Sequence, residues 1–257
     1  MKKILLLPLT ALLLHGSLHA EASVRIDTNA LALLKRMSDT LSVAKSFTFR
    51  SDSILEIPYA TGQLITVISE GQVAVHRPNK IMALYAGDAH SFGLLYDGSS
   101  VTAVAPQAKA FSTVKAPDTI DEMLAGLRGE TGIHLHSAPL LYKDPYAHLT
   151  RNIRSAAIIG RTFVNGVPCD HLAFRSPGVD WEIWISSGKV ALPYRLVSTF
   201  TDKPGLPRKF IDFSSWNLRP WISSTLFTFR KPKDFQEIPF QNVLQDVRKE
   251  TVRGSTH

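Results

Sequence analysis

The chain has 257 residues, of which 44% are hydrophobic, and it carries a net charge of +7. This length suits one β-rich domain, and its scattered lysines and arginines form neither a run nor an aromatic-interleaved patch, which argues against nucleic-acid binding. The single cysteine excludes an internal disulfide.

The amino-terminal segment has the pattern of a cleavable signal peptide, residues 1–22. A Lys-Lys pair precedes an apolar stretch over residues 4–14, and Ala20-Glu21-Ala22 has the small-x-small pattern of a cleavage site. The apolar stretch is too short for a membrane span, which takes ~20 residues. We therefore expect an exported periplasmic chain without a transmembrane segment. Its single domain should cover residues 23–240, followed by a charged tail over residues 241–257.

The domain is predicted to begin with an amphipathic helix. Asp27 can cap its amino end, and apolar residues recur every three to four positions, at Leu31, Leu34, Met37 and Leu41. From Ser46 the apolar period changes to two, which predicts a strand. The short apolar runs that follow are separated by Gly, Pro, Asn and Asp turns. Such tight turns predict antiparallel pairing, because a parallel return needs a long crossover.

Helical segments are predicted to interrupt the strands between Pro117 and Thr150. Thr119 can cap the first helix, and two short helices are expected over residues 138–142 and 145–149. Strands resume at Ile153, and Asn165-Gly166 is a residue pair that favours a two-residue hairpin turn. Nine to eleven strands are expected in total.

Three sequence segments resemble those of an uncharacterised family of predicted bacterial periplasmic proteins. They are His76-Arg77-Pro78-Asn79-Lys80 with Tyr96-Asp97-Gly98, the stretch Asn165 to Phe174, and the stretch Val179 to Ile185 with Leu192-Pro193. The similarity covers residues 30–240. That family in turn resembles the fold of the periplasmic lipoprotein carrier and its outer-membrane receptor. The resemblance implies an open half-barrel, with helices across its concave face and an apolar cavity between helices and sheet.

The expected fold class is therefore α+β: a strongly curved antiparallel sheet whose concave face is covered by the amino-terminal helix and the mid-chain helical segments. The amphipathic helices must bury their apolar sides against the apolar face of the sheet. In a half-barrel the core and a ligand cavity share one surface, although the same aromatic residues are also typical of a packed core. The candidate ligand-contacting residues are Phe47, Phe49, Met123, Leu124, Leu127, Leu140, Trp181, Ile183 and Phe213.

Few polar residues are candidates for catalysis or metal binding. His134 and His136 form a His-x-His pair, but no further ligand follows at short spacing, and no metal site is predicted. Asp180 and Glu182 share a strand face and could act as acid and base, a pattern that a solvated strand face also shows. Cys169 is expected to be buried and unreactive. The motifs of nucleophile elbows, phosphate loops and dinucleotide sites do not occur, so no catalytic residue or cofactor is expected.

Three functions stay open. The first is a non-enzymatic periplasmic binding or carrier protein for a lipid, an acyl chain or a lipidated polypeptide, with the helices of residues 117–150 as a lid. The second is a protein-interaction module that binds a partner protein of the cell envelope without a small ligand. The third is an enzyme with an unrecognised site. An open apolar cavity would favour the first, an exposed apolar patch the second, and converging polar side chains the third.

Overall fold

The computed structural model describes residues 25–59, 61–88, 91–127, 135 and 137–243. The predicted signal peptide lies outside these residues, as does the predicted tail beyond Val243. No helix in the described part of the chain is long and apolar enough to cross a membrane. The division into a domain over residues 23–240 and a tail stays a prediction.

The first helix, α1 (Thr28–Val43), forms where the apolar period predicts it. The Asp27 carboxylate accepts a hydrogen bond from the backbone N–H of Asn29 at 2.9 Å, which caps the helix as expected. The apolar side of α1 is buried against the sheet through Ala30, Leu34, Met37 and Leu41.

Two runs of antiparallel strands make one open sheet. The first run is β1 (Ser46–Pro58), β2 (Leu64–His76), β3 (Lys80–Gly87), β4 (Phe92–Tyr96), β5 (Ser100–Ala105) and β6 (Ala110–Lys115). The second is β7 (Ser155–Val164), β8 (Val167–Ser176), β9 (Val179–Ser186), β10 (Pro193–Phe200) and β11 (Arg208–Asn217). Strand β11 returns to pair with β1, which joins the two runs at the centre of the sheet. The predicted fold class, an open and curved α+β sheet, is confirmed.

A twelfth strand, β12 (Gln236–Glu237), pairs in parallel with the edge strand β6. It is one strand more than the nine to eleven expected, and this pair departs from the antiparallel pattern. Two exposed polar residues carry no alternation that a sequence pattern can reveal. At the β7–β8 turn, by contrast, Asn165 and Gly166 both have the positive φ of the predicted hairpin, 49° and 78°.

The helical insertion consists of α2 (Ile120–Gly126), α3 (Ala138–Leu141) and α4 (Pro145–Thr150). Thr119 caps α2: its Oγ1 accepts from the Glu122 N–H at 3.2 Å and donates to the Glu122 carboxylate at 2.8 Å. Asp144 caps α4 by accepting from the Ala147 N–H at 2.9 Å. The helices α2 and α4 therefore begin at the positions predicted from the sequence.

One hydrophobic cluster joins α1, the helical insertion and one face of the sheet, which we call the concave face. The opposite, convex face is crossed by a carboxyl-terminal strap, residues 218–237, which contains a 3₁₀ helix (Ser224–Phe227) and ends in β12. Phe227 packs on Ala74 and Met82, and the Phe229 ring lies 5.0 Å from that of Phe111. The convex face of the first strand run is therefore partly covered by the strap.

Candidate functional site

The nine candidate ligand residues from the sequence all lie in the concave cluster. Each is at most 7% exposed: Phe47, Phe49, Met123, Leu124, Leu127, Leu140, Trp181, Ile183 and Phe213. Eight of them pack into the core, and Trp181 also lines an open cleft. Whether any of the nine contacts a ligand stays a prediction.

Aromatic rings fill the centre of the concave face. The Phe49 ring lies 4.5 Å from Trp216 and 5.7 Å from Phe213, the latter edge to face, and Phe47 stacks at 6.3 Å from Phe49. Rings at these separations pack favourably. This part of the concave face is therefore a packed interior.

An open cleft of about 440 Å³ lies farther along the concave face, between the helical insertion and strands β8–β10. Leu149 of α4 forms one side, and Trp181 and Leu196 form the opposite side. Trp181 is held in place by its ring stacking on Phe174 at 4.1 Å and by an N–H donated to Ser176 Oγ at 3.2 Å. The remaining lining residues are Pro139, His148, Arg151, Asn152, Ser176, Pro177, Val179 and Ser198.

The ionisable side chains that line the cleft are basic. Its lining includes His148 and Arg151 and, among the described residues, neither Asp nor Glu. Lys209 is the direct cross-strand neighbour of Ser198 on the adjacent strand. Burial among apolar groups lowers the pKa of Lys209 to about 8. The described lining of the cleft therefore combines apolar side chains with neutral polar and basic ones.

The helical insertion is tied to the rest of the fold by a few polar contacts. Arg77, in the β2–β3 turn, donates hydrogen bonds to the carbonyls of Leu141 at 3.1 Å and Tyr142 at 2.9 Å. On the other side, the Tyr146 N–H donates to Ser38 Oγ of α1 at 2.9 Å. These contacts hold the junction between α3 and α4 against the sheet and α1.

A larger groove, about 870 Å³, lies on the convex face beside the carboxyl-terminal strap. Charged and polar side chains line one part of it, and apolar groups that include Leu84 and Phe229 line another. Gly93 deepens the floor, since a Cβ there would lie 3.2 Å from Leu84. Like the concave cleft, the groove is lined by polar and apolar groups in similar proportion.

The polar candidates from the sequence have structural partners. The Glu182 carboxylate lies 2.8 Å from His171 Nε2, and Asp180 accepts two hydrogen bonds from Arg175, at 2.9 Å each. Cys169 is fully buried, which confirms the prediction of burial, and burial raises the pKa of its thiol to about 11. A catalytic pair of carboxylates or an activated thiol is therefore not favoured.

The metal-ligand candidates His134 and His136 lie outside the described residues. Among the residues that are described, no group of three or more His, Cys, Asp or Glu side chains is placed to hold a metal ion.

Sequence reasoning did not single out several residues of the cleft and its surroundings. Leu149, Leu196, Ser198 and Lys209 come from three different elements, and no sequence spacing connects them. The sequence does give one local signal for Lys209. It alternates with Ile211 and Phe213, which predicts that it occupies a core-facing position of its strand.

Three solved structures have a similar arrangement of strands and helices. An uncharacterised conserved protein from Thermus thermophilus is 11% identical, with a TM-score of 0.48 over 82% of this chain and 98% of that chain. The lipoprotein LppX of Mycobacterium tuberculosis is 12% identical, with a TM-score of 0.40 over 77% and 100%. A LolA superfamily protein from Nitrosomonas europaea is 10% identical, with a TM-score of 0.40 over 78% and 97%. These similarities say nothing of a ligand.

The family resemblance and the periplasmic location predicted from the sequence are confirmed by a family model. No curated protein matches the chain at a significant level. The family model, described as predicted periplasmic protein (DUF2092), matches residues 30–241, almost the span expected from the sequence. The chain therefore belongs to the DUF2092 family of predicted periplasmic proteins.

Proposed function

We propose that this periplasmic protein is a non-enzymatic binding or carrier protein for an apolar ligand, a lipid or an acyl chain, held in the concave cleft. The observation that carries the proposal is the cleft of about 440 Å³ between the helical insertion and strands β8–β10. Its volume falls within the ~300–1,000 Å³ of typical small-molecule sites.

The apolar side chains of the cleft can hold a hydrocarbon chain. Trp181 and Leu196 are both 6% exposed and face half-buried Leu149 across the opening. Burying one methylene group is worth ~0.8 kcal/mol, so a chain of ten would gain about 8 kcal/mol. Association costs at least ~4 kcal/mol in lost freedom, which leaves a ligand of roughly millimolar affinity before any polar contact is added.

The helical insertion can serve as the lid. Its α3 and α4 segments are short, four and six residues, and they are held to the sheet and to α1 by polar contacts at their ends. Segments of this kind open with a lower free energy than core strands. Opening would let a chain enter the cleft from the side without unfolding the sheet.

A second candidate function is a protein-interaction module of the cell envelope. The convex groove of about 870 Å³ favours it, because the groove combines exposed Leu84 with the charged side chains of Arg50, Asp52 and Glu70. This candidate predicts lipid-free protein and a periplasmic complex that a Leu84→Glu variant no longer forms.

The test of the carrier function is native mass spectrometry of protein purified from the periplasm, followed by calorimetric titration of delipidated protein with dodecanoate. We expect a co-purified lipid and saturable binding. A Leu149→Gln change places an amide in the cleft and should weaken dodecanoate binding about 10-fold. A matched Leu206→Gln change, at a residue 54% exposed outside the cleft, should leave binding unchanged. Lipid-free protein that binds no dodecanoate contradicts the proposal.

A further inference from the structure

The charged side chains of the strands around the cleft are divided between the two faces of the sheet. On β9, β10, β11 and β1 the alternation places them on the convex face, where several form pairs. Arg195 donates two hydrogen bonds to Asp212, and Arg208 lies 3.9 Å from Glu182. Among the charged residues of these four strands Lys209 is the exception, since it shares the concave face with the buried Ile211 and Phe213. On β8, Asp170 also lies on the concave face, but it is paired with Arg161.

The neighbours of Lys209 supply no counter-charge. Its cross-strand partners are Ser198 on β10 and Leu55 on β1, and Ile211 is the next concave residue of its own strand. Within the described part of the chain, its ammonium has neither an ion pair nor a hydrogen-bond partner. Burial lowers the pKa of Lys209 to about 8, so the group is still mostly charged at neutral pH.

The Lys209 side chain is half-buried, and an anion that reaches its ammonium can form a charge-assisted hydrogen bond there. Lys209 sits beside Ser198, which lines the cleft, and Arg151 lies on the lining formed by the helical insertion. The lining residues that are described include no carboxylate that would repel an anion. Basic groups therefore lie beside the apolar side chains Leu149, Trp181 and Leu196 of the cleft, an arrangement that can accept both ends of an amphiphile.

We infer that the ligand is an amphiphile with an anionic head group, whose carboxylate or phosphate binds Lys209 while its hydrocarbon chain lies against Trp181 and Leu196. The inference rests on the proposed function and names the class of ligand. Carboxylate and phosphate share the chemistry that an ammonium recognises, a compact anion with several acceptor oxygens.

The experiment compares three ligands with the same chain: dodecanoate, dodecyl phosphate and dodecanol. Each is titrated by calorimetry, below its micellar concentration, into delipidated wild-type protein and into the Lys209→Met variant. Wild-type protein should bind the two anions about 10- to 100-fold more tightly than dodecanol, because a hydrogen-bonded charge contributes that much. The relative affinity of dodecanoate and dodecyl phosphate distinguishes a carboxylate from a phosphate head group.

Lys209→Met should abolish the preference for anions and leave the affinity for dodecanol unchanged. The variant loses an unpaired cation, so it should unfold at a temperature no lower than wild type, which shows that the sheet is intact. Lys203→Met is the matched control, since Lys203 is exposed and adjacent to Asp202, and it should keep the preference.

Two results would overturn the inference. If wild-type protein binds dodecanol as tightly as the anions, or if Lys209→Met keeps the preference, the head group is not recognised at Lys209, and the carrier function still stands. If none of the three ligands binds, the carrier function and the inference fail together.

Discussion

Arg77 is the residue whose loss should release the helical insertion from the sheet. Its guanidinium donates to the carbonyls of Leu141 and Tyr142, at the end of α3, and lies 5.7 Å from the centre of the Phe47 ring. Arg77→Met keeps much of the aliphatic stem and removes both donors. The perturbation is therefore confined to the attachment of α3.

The magnitude follows from these contacts. A hydrogen bond to a charged donor contributes ~1.5–3 kcal/mol, but water reaches the freed carbonyls once the helix lifts, so we take the lower value for each. The attachment should then lose about 3 kcal/mol. Since ~1.4 kcal/mol is a factor of ten, opening of residues 138–150 should become about 100-fold more frequent.

Hydrogen exchange of native protein measures this opening directly. Exchange should accelerate in residues 138–150 of Arg77→Met and stay slow in β1 and β9. Arg175→Met is the matched control: it removes an arginine that also makes two hydrogen bonds, but to Asp180 on the exposed surface, where such pairs contribute ~1 kcal/mol or less. If exchange over residues 138–150 is unchanged in folded Arg77→Met, Arg77 does not hold the helical insertion on the sheet. Equal acceleration of exchange throughout the sheet would instead indicate global destabilisation.

Three further predictions concern stability and reactivity. Cys169 should react with maleimide far more slowly in native than in urea-unfolded protein, because it is buried and its pKa is raised to about 11; equal rates would contradict this. Gly71→Ala should lower the free energy of unfolding in urea by ~1–3 kcal/mol, since its Cβ would lie 2.8 Å from the Tyr85 ring, whereas Gly126→Ala meets open space and should not destabilise. The folded-state pKa of Lys209, about 8, is below the unfolded value of ~10.4, so the unfolded chain binds more protons between these values. Stability should therefore rise from pH 8 to about pH 10.4, and urea unfolding of Lys209→Met should lack this part of the rise.

Local sequence signals were sufficient to predict most of the helices and strands and the residues of the concave core. The 3.6-residue period of α1, the Thr119 cap of α2 and the Asn165-Gly166 turn each act over a few residues, so each is visible without knowledge of the fold. The resemblance to a periplasmic family supplied the overall arrangement, an open half-barrel with helices across its concave face.

The cleft and the carboxyl-terminal strap depend on contacts distant in sequence. Phe227 and Phe229 are visible as apolar residues, but the surface they cover, on β2, β3 and β6, is set by the path of the strap around the sheet. The cleft likewise exists because α4 stops short of covering Leu196 and Ser198. The spacing of apolar residues along a helix does not indicate how far that helix extends across a sheet.

Because of the strap, the two edge strands of the sheet differ in how their outer backbone groups are paired. At one end the two-residue β12 pairs with Ala110 and Phe111, the first two of the six residues of β6. At the other end β7 has ten residues, and within the described chain its outer side carries one isolated bridge, from Ile26 to Ala156. Of the two edges, β7 therefore offers the longer row of backbone groups to an added strand, and β6 is shortened by its pairing with the strap.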